Sequence, residues 1–207
     1  PADQVDGSKG YSKFTIREDA AAAYLALREE VLSLGGHITS AGGRRVLSNS
    51  KKSKSKSTKS LHYVGLAIDL ALDSGMGSRP GRQPFVIEEM GDRKWNVWCK
   101  TENPDVPERT IEAYTYHHIR KNVTGRYFSF TELAEKHGWY PIRARSWFMR
   151  GGKYTGAEWW HFQFNKALEK GKSKFGTELL KVYDREDCEK FAYWDESKNC
   201  TFGIDWF

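Results

Sequence analysis

Four side chains in this 207-residue sequence have the types and the spacing that metal-assisted hydrolysis requires. His62 and Asp69 lie in one short segment, and Glu158 precedes His161 by three positions in a second segment far downstream. Zinc hydrolases use about three protein ligands, an open coordination position and a nearby carboxylate that accepts a proton from water. His62, Asp69 and His161 are therefore candidate ligands, and Glu158 is a candidate base.

The spacing of these residues predicts two local features of the backbone. A straight strand would separate His62 from Asp69 by roughly 23 Å, so the chain must bend between them, and Gly65 is the residue that permits a bend. In a regular strand, residues 158 and 161 point to opposite faces. We therefore expect Glu158 to lie before the strand that carries His161, or on a bulge.

Both segments have the alternation of half-buried strands. Over residues 65–72, small or polar residues alternate with apolar ones, which places Asp69 away from the apolar face. Over residues 156–164, His161 and Gln163 share one face and aromatic residues share the other. Each segment is therefore expected to present a polar edge to the site.

The other elements are predicted from propensity and alternation. Strong helix formers with acids in the first turn predict a helix over residues 17–34, and shorter helices are predicted at 131–136 and 177–183. Additional strands are predicted at 37–40, 95–99, 110–118 and 127–130. We interpret residues 1–207 as one domain, with 167–207 as a C-terminal extension that packs on it.

The positive charge of the chain is concentrated in one place. The formal net charge is +6, and five lysines lie in one serine-rich run, Lys51, Lys52, Lys54, Lys56 and Lys59. Without these five, the remainder of the chain carries +1. The run is therefore interpreted as a solvated loop, with contact to an anionic polymer as the alternative, and no nucleic-acid partner is expected.

Composition also bears on compartment. No apolar run approaches the roughly 20 residues of a membrane helix, and no signal peptide is visible at the start of the sequence. The three cysteines cannot all pair within one chain. Cys188 and Cys200 could close a small loop outside the cytoplasm, or all three, including Cys99, could be free thiols.

The two chemical segments together resemble a known family. The pattern Ser-x-His-x-x-Gly-x-Ala-x-Asp at residues 60–69, followed by Glu-x-x-His at 158–161, resembles the M15 zinc peptidases. These include D-alanyl-D-alanine carboxypeptidases, dipeptidases and phage endolysins. The resemblance runs from the first helix to about Phe164 and includes residues 130–139. It implies an α+β fold like that of hedgehog and D,D-peptidase domains, with a small central antiparallel sheet, flanking helices and the zinc site on the sheet face.

The resemblance also implies roles for particular residues. His62, Asp69 and His161 would bind one Zn²⁺ ion, with Glu158 as catalytic base. An arginine after the first helix approaches the active site in this family, and Arg44 is the better match for that catalytic role.

Two further expectations concern the substrate side of the site. Arg45, next to Arg44, and Ser60, which opens the first motif, are expected to bind substrate. The sequence departs from the family pattern in having Gly43 where relatives often carry an aromatic residue. It also departs by the lysine- and serine-rich insertion before the first ligand.

The function implied by the resemblance is hydrolysis of peptidoglycan stem peptides by a zinc metallopeptidase, as a D,D-carboxypeptidase or an endopeptidase. One alternative is a phage or secreted cell-wall lysin with L-alanyl-D-glutamate endopeptidase activity. Another is a catalytically inactive zinc-containing module that binds the cell wall. Each implies an extracytoplasmic or virion-associated protein, in which the lysine run could contact an anionic wall polymer.

Overall fold

The computed structural model describes residues 2–4, 13–47, 59–169, 172–191 and 194. Most of the lysine run and Cys200 lie outside these residues, and so do the predictions made for them. Cys99 and Cys188 are buried and form no disulfide within the described part of the chain.

The strands are β1 (Ala2–Gln4), β2 (Lys13–Thr15), β3 (Ala67–Asp69), β4 (Phe85–Glu89), β5 (Trp95–Lys100), β6 (Glu108–Tyr114), β7 (Arg120–Ser129), β8 (Trp139–Pro141) and β9 (His161–Phe164). The α-helices are α1 (Glu18–Ser33), α2 (Phe130–Lys136), α3 (Phe175–Leu179) and α4 (Arg185–Glu189).

Helix α1 confirms the helix predicted over residues 17–34. It has two acids in its first turn, and its buried residues follow helical spacing, Ala20, Tyr24, Leu27 and Val31. The chain turns away at Gly35, whose φ of 75° is the left-handed conformation that glycine adopts without a steric penalty. The apolar stripe of α1 packs into the main hydrophobic core.

A small antiparallel sheet in the order β3-β9-β8 carries the two chemical segments. The strands predicted at 65–72 and 156–164 are both present, but each is shorter than predicted. The strand predicted at 37–40 is wrong. Residues 37–40 do not pair with a strand. The nearby chain pairs with β3 only through one isolated bridge, between Gly42 and Asp69.

Along the chain, the strands of a second sheet, named here the inserted sheet, lie between β3 and the other two strands of the first sheet, β8 and β9. Its strands follow the order β4-β5-β7-β6, and the sheet closes on itself where Glu88 pairs with Ala113. Strand β5 confirms the strand predicted at 95–99. Strand β6 ends at Tyr114, so the strand predicted at 110–118 is confirmed only to that residue, and β7 begins at Arg120, well before the strand predicted at 127–130. Strand β4 was not predicted. Val86, Ile111, Ala113 and Tyr127 form a hydrophobic cluster of their own in this sheet.

The described chain is an α+β protein built from antiparallel sheets and few helices. The C-terminal helices α3 and α4 contribute Phe175, Leu179 and Cys188 to the main core. Glu178 of α3 forms a buried ion pair with Arg17, the residue before α1, with 2.6 Å between Oε2 and Nη1. None of the helices in the described residues is long and apolar enough to cross a membrane.

Helix α1 is joined to the end of α2 by the carboxylate of Glu30. The Lys136 ammonium donates to Glu30 at 2.6 Å, and His137 Nε2 lies 2.7 Å from it. Hydrogen bonds from Lys136 and His137 lower the pKa of Glu30 below its ordinary value of 4.5. Because folding lowers this pKa, the carboxylate stabilises the fold above its unfolded pKa, and the stabilisation is lost as the pH falls through the folded pKa.

We therefore expect Glu30→Gln to lower the free energy of unfolding by about 1 kcal/mol or less at pH 7, as is usual for partly exposed ion pairs. The difference from wild type should shrink as the pH falls below about 4.5. Urea unfolding at pH 7 and at acid pH measures both effects, with the exposed neighbour Glu29→Gln as the matched control. A difference that stays constant with pH would contradict the assignment.

Candidate metal centre

Three side chains from the two chemical segments converge on one point. His62 Nε2 lies 3.1 Å from Asp69 Oδ2, and His161 Nδ1 lies 2.8 Å from Asp69 Oδ1. The two imidazole nitrogens are 3.2 Å apart. Within the described part of the chain, this is the only group of three or more potential ligands whose donor atoms lie within 4.8 Å of one another. The group could hold a metal ion.

Backbone geometry brings these three residues together. In the antiparallel pair of β3 and β9, Asp69 lies directly opposite His161, so their side chains share one face. His62 lies in the turn of residues 61–65, where Gly65 has a φ of 69°. A Cβ on Gly65 would lie 2.8 Å from the backbone nitrogen of Arg17. The predicted bend at Gly65 is therefore confirmed, both by its conformation and by this close approach.

Each histidine is oriented by a hydrogen bond on the ring nitrogen that faces away from the cluster. His62 Nδ1 donates to the carbonyl oxygen of Gly43 at 2.7 Å, and His161 Nε2 donates to Gln163 Oε1 at 3.4 Å. Ser60 Oγ accepts a hydrogen bond from the backbone nitrogen of His62 at 3.4 Å. These contacts leave Nε2 of His62 and Nδ1 of His161 facing Asp69, as a metal centre with oriented ligands requires.

The position of Gly43 explains why this chain lacks an aromatic residue before Arg44. A Cβ at Gly43 would lie 2.6 Å from the Phe14 ring and 2.7 Å from the carbonyl oxygen of Thr15. The backbone is therefore packed too closely for a side chain. This close packing fixes the carbonyl group that orients His62.

The electrostatics of the cluster suit a bound cation. Burial alone would raise the pKa of Asp69, but the charge of His62 and the hydrogen bonds from both histidines lower it far below its usual range. Burial lowers the pKa of His62 despite the nearby carboxylate. Burial is also the largest single influence on His161, but the hydrogen bond and charge of Asp69, together with Glu158 and Gln163, outweigh it and raise the pKa of His161. A largely buried carboxylate next to two imidazole nitrogens is a donor set that fits a divalent metal ion.

Glu158 lies outside the group of ligand atoms, in the turn just before β9. Its carbonyl oxygen accepts a hydrogen bond from the backbone nitrogen of His161 at 3.1 Å. The φ of Glu158 is 55°, a left-handed conformation that is costly for a residue with a side chain. The prediction that Glu158 lies before the strand that carries His161 is thus confirmed.

Two contacts hold the chain on both sides of Glu158, one from strand β5 of the inserted sheet and one from the turn between its strands β6 and β7. The indole of Trp95 donates to the carbonyl oxygen of Ala157 at 2.6 Å. The indole of Trp159 donates to the hydroxyl of Tyr116 at 2.8 Å. Surrounding contacts of this kind are what maintain a strained conformation in a folded protein.

Arg145 is a site residue that the sequence did not reveal. Its Nε donates to Glu158 Oε1 at 2.8 Å, and the side chain is half exposed. It lies in an irregular segment with neither a motif nor periodicity, so no sequence signal pointed to it. For Gln163 such a signal existed, because strand alternation already placed it on the face of His161.

The structure brings Arg45, and not Arg44, to the ligand cluster. Arg45 Nη2 donates to Asp69 Oδ2 at 3.1 Å. The guanidinium carbon of Arg44 instead lies 5.5 Å from the ring centroid of Tyr183, in a cation–π contact. The two adjacent arginines therefore point to different parts of the protein.

No protein-family model, no curated protein and no solved structure matches this chain. The functional argument therefore depends on the chemistry of the site.

Gln163 offers a direct test of histidine orientation. With Zn²⁺ as the probe for a divalent metal ion, we expect Gln163→Leu to weaken binding by about 10-fold to 100-fold, because His161 loses the acceptor that orients its ring. Gln163→Glu retains an acceptor oxygen and should retain most of the affinity. Competition with a chromogenic chelator measures both constants. Equal affinity of Gln163→Leu and wild type would show that this hydrogen bond does not orient the ligand.

Proposed function

We propose that this chain is a zinc-dependent peptidase that hydrolyses peptide bonds in bacterial peptidoglycan stem peptides, as a D,D-carboxypeptidase or an endopeptidase. The observation that carries the proposal is the convergence of His62, Asp69 and His161. Glu158 lies three residues before His161 and outside the ligand group. A hedgehog- and D,D-peptidase-like fold, with the site on the face of the β3-β9-β8 sheet, is part of the same proposal.

The donor set supports zinc as the bound metal. Two imidazole nitrogens and one carboxylate oxygen, contributed by His62, His161 and Asp69, leave a coordination position open, which is typical of catalytic zinc sites. When bound, zinc supplies Lewis acidity that acidifies water and polarises a peptide carbonyl. The remaining steps depend on the side chains around this centre.

Glu158 is suited to move a proton. Arg145 binds Oε1 of its carboxylate, which fixes the orientation of the group, and within the described part of the chain Oε2 has no hydrogen-bond or ion-pair partner. Oε2 is therefore the atom proposed to accept a proton from the attacking water and to deliver it to the departing amine. Arg145 also balances the charge of Glu158 without removing that acceptor.

The arginine role that the resemblance gives to Arg44 is better supported for Arg45. Arg45 reaches Asp69, and its partly exposed guanidinium has further donors for a substrate carbonyl or carboxylate. Arg44 is engaged with Tyr183 instead. Ser60 stays a proposed substrate contact, since its hydroxyl hydrogen is available while its oxygen accepts from His62.

Glu158→Gln tests the catalytic assignment. Glutamine preserves an acceptor for Arg145 but cannot accept the proton, so hydrolysis should fall by about 10² to 10⁴-fold. Zinc should stay bound, because Glu158 is outside the ligand group. The measurement is mass spectrometry of the muropeptides released from purified sacculi, with and without a chelator. Exposed Glu169→Gln is the matched control.

The product masses distinguish the alternatives. Released D-alanine indicates a carboxypeptidase, whereas cleavage between L-alanine and D-glutamate indicates the lysin activity. Full activity of Glu158→Gln would overturn the proposed role of the base. Tight zinc binding by the wild type without any product would instead support the catalytically inactive wall-binding module.

A further inference from the structure

Residues 41–45, named here the arginine turn, contact the metal ligands in several ways. The carbonyl oxygen of Gly43 accepts from His62 Nδ1. The backbone nitrogen of Arg45 donates to the carbonyl oxygen of His62 at 2.9 Å, and its guanidinium donates to Asp69 Oδ2. The position of this turn therefore sets the orientation of two of the three ligands.

Tyr183 holds the arginine turn from the opposite side. It follows α3, in the C-terminal region to which the family resemblance does not extend. Its hydroxyl donates to the carbonyl oxygen of Arg45 at 2.9 Å, and its ring lies beneath the Arg44 guanidinium. Arg45 is thus hydrogen-bonded through its backbone nitrogen to His62 and through its carbonyl oxygen to Tyr183.

A second contact fixes the C-terminal region against the turn that carries His62. Glu178 of α3 is buried and binds Arg17 at 2.6 Å. The backbone nitrogen of Arg17 in turn donates to the carbonyl oxygen of Gly65 at 2.9 Å, at the end of the His62 turn. The segment from Glu178 to Tyr183 therefore contacts both the arginine turn and the residue that supports the Gly65 bend.

We propose that Tyr183 is a positioning residue for the metal centre, acting through Arg45. By holding the backbone of Arg45 between two hydrogen bonds, it keeps the guanidinium on Asp69 Oδ2 and so fixes the rotation of the ligand carboxylate. Hydrogen bonds to ligand carboxylates contribute to metal affinity in this way. The inference rests on metal binding by the triad, which the proposed function also requires, and it is independent of which peptide bond is cleaved.

The test is a double-mutant cycle read out as zinc affinity. Dissociation constants are measured by chelator competition for wild type, Tyr183→Phe, Arg45→Gln and the double variant. Phenylalanine retains the ring beneath Arg44 and removes only the hydroxyl. We expect about tenfold weaker zinc binding for Tyr183→Phe in the wild-type background and no additional loss in the Arg45→Gln background.

Two controls separate positioning from general packing. Tyr127→Phe removes a hydroxyl in the separate cluster of the inserted sheet and should leave zinc affinity unchanged. Melting temperatures of the zinc-free proteins show whether each variant is folded. The same loss from Tyr183→Phe in both backgrounds would overturn the inference, because the hydroxyl would then act independently of Arg45. An unchanged zinc affinity of Tyr183→Phe would overturn it as well.

Zinc affinity and peptide cleavage together distinguish a failure of this inference from a failure of the proposed function. If the wild type binds no zinc, both the metal centre and this inference are wrong. If it binds zinc with the expected coupling but cleaves no wall peptide, the positioning role holds and the peptidase assignment fails.

Discussion

Asp69 and His161 face each other across β3 and β9, and the other contacts of the site are arranged around this pair. A buried carboxylate is costly unless cationic or hydrogen-bonding groups compensate for lost hydration. Here two imidazoles and the guanidinium of Arg45 surround it. His161 could not reach Asp69 if the two strands paired one residue out of register, because such a shift would turn the His161 side chain to the opposite face of the sheet.

The inserted sheet contributes to the candidate site without providing any of the three candidate ligands. Trp95 of β5 and Tyr116, in the turn between β6 and β7, hydrogen-bond to the two residues that flank Glu158, which has an unfavourable backbone conformation. Glu158 is therefore placed by long-range contacts, and its conformation is maintained from a neighbouring sheet with a hydrophobic cluster of its own. The candidate ligands and Glu158 are thus supported by different parts of the fold.

Sequence alone predicted those parts of the site that follow from strand geometry. Alternation placed Asp69 and His161 on polar faces, chain length required the bend at Gly65, and the odd spacing of Glu158 required a turn before the strand. Each of these inferences uses a fixed repeat of the backbone, so it holds without knowledge of tertiary contacts.

The remaining features depend on packing between distant segments, which no local pattern encodes. Arg44 and Arg45 are adjacent and chemically identical, and only contacts with Tyr183 and Asp69 distinguish them. Arg145 lies in an irregular segment whose direction is set by tertiary contacts. The strand at Phe85–Glu89 follows a loop rich in glycine and proline, and its pairing with β5 and β6 defines it more clearly than its own short apolar run.

The separation of the ligands along the chain also has a consequence for how the protein folds. Asp69 and His161 are 92 positions apart, and the whole inserted sheet lies between them. Non-local pairing of this kind forms slowly, because a long loop must close before the contact is made. The group of His62, Asp69 and His161 is therefore complete only once β3 and β9 have paired, so a metal ion could bind all three residues only late in folding. An ion bound in this way would favour the finished fold over every incomplete one by mass action.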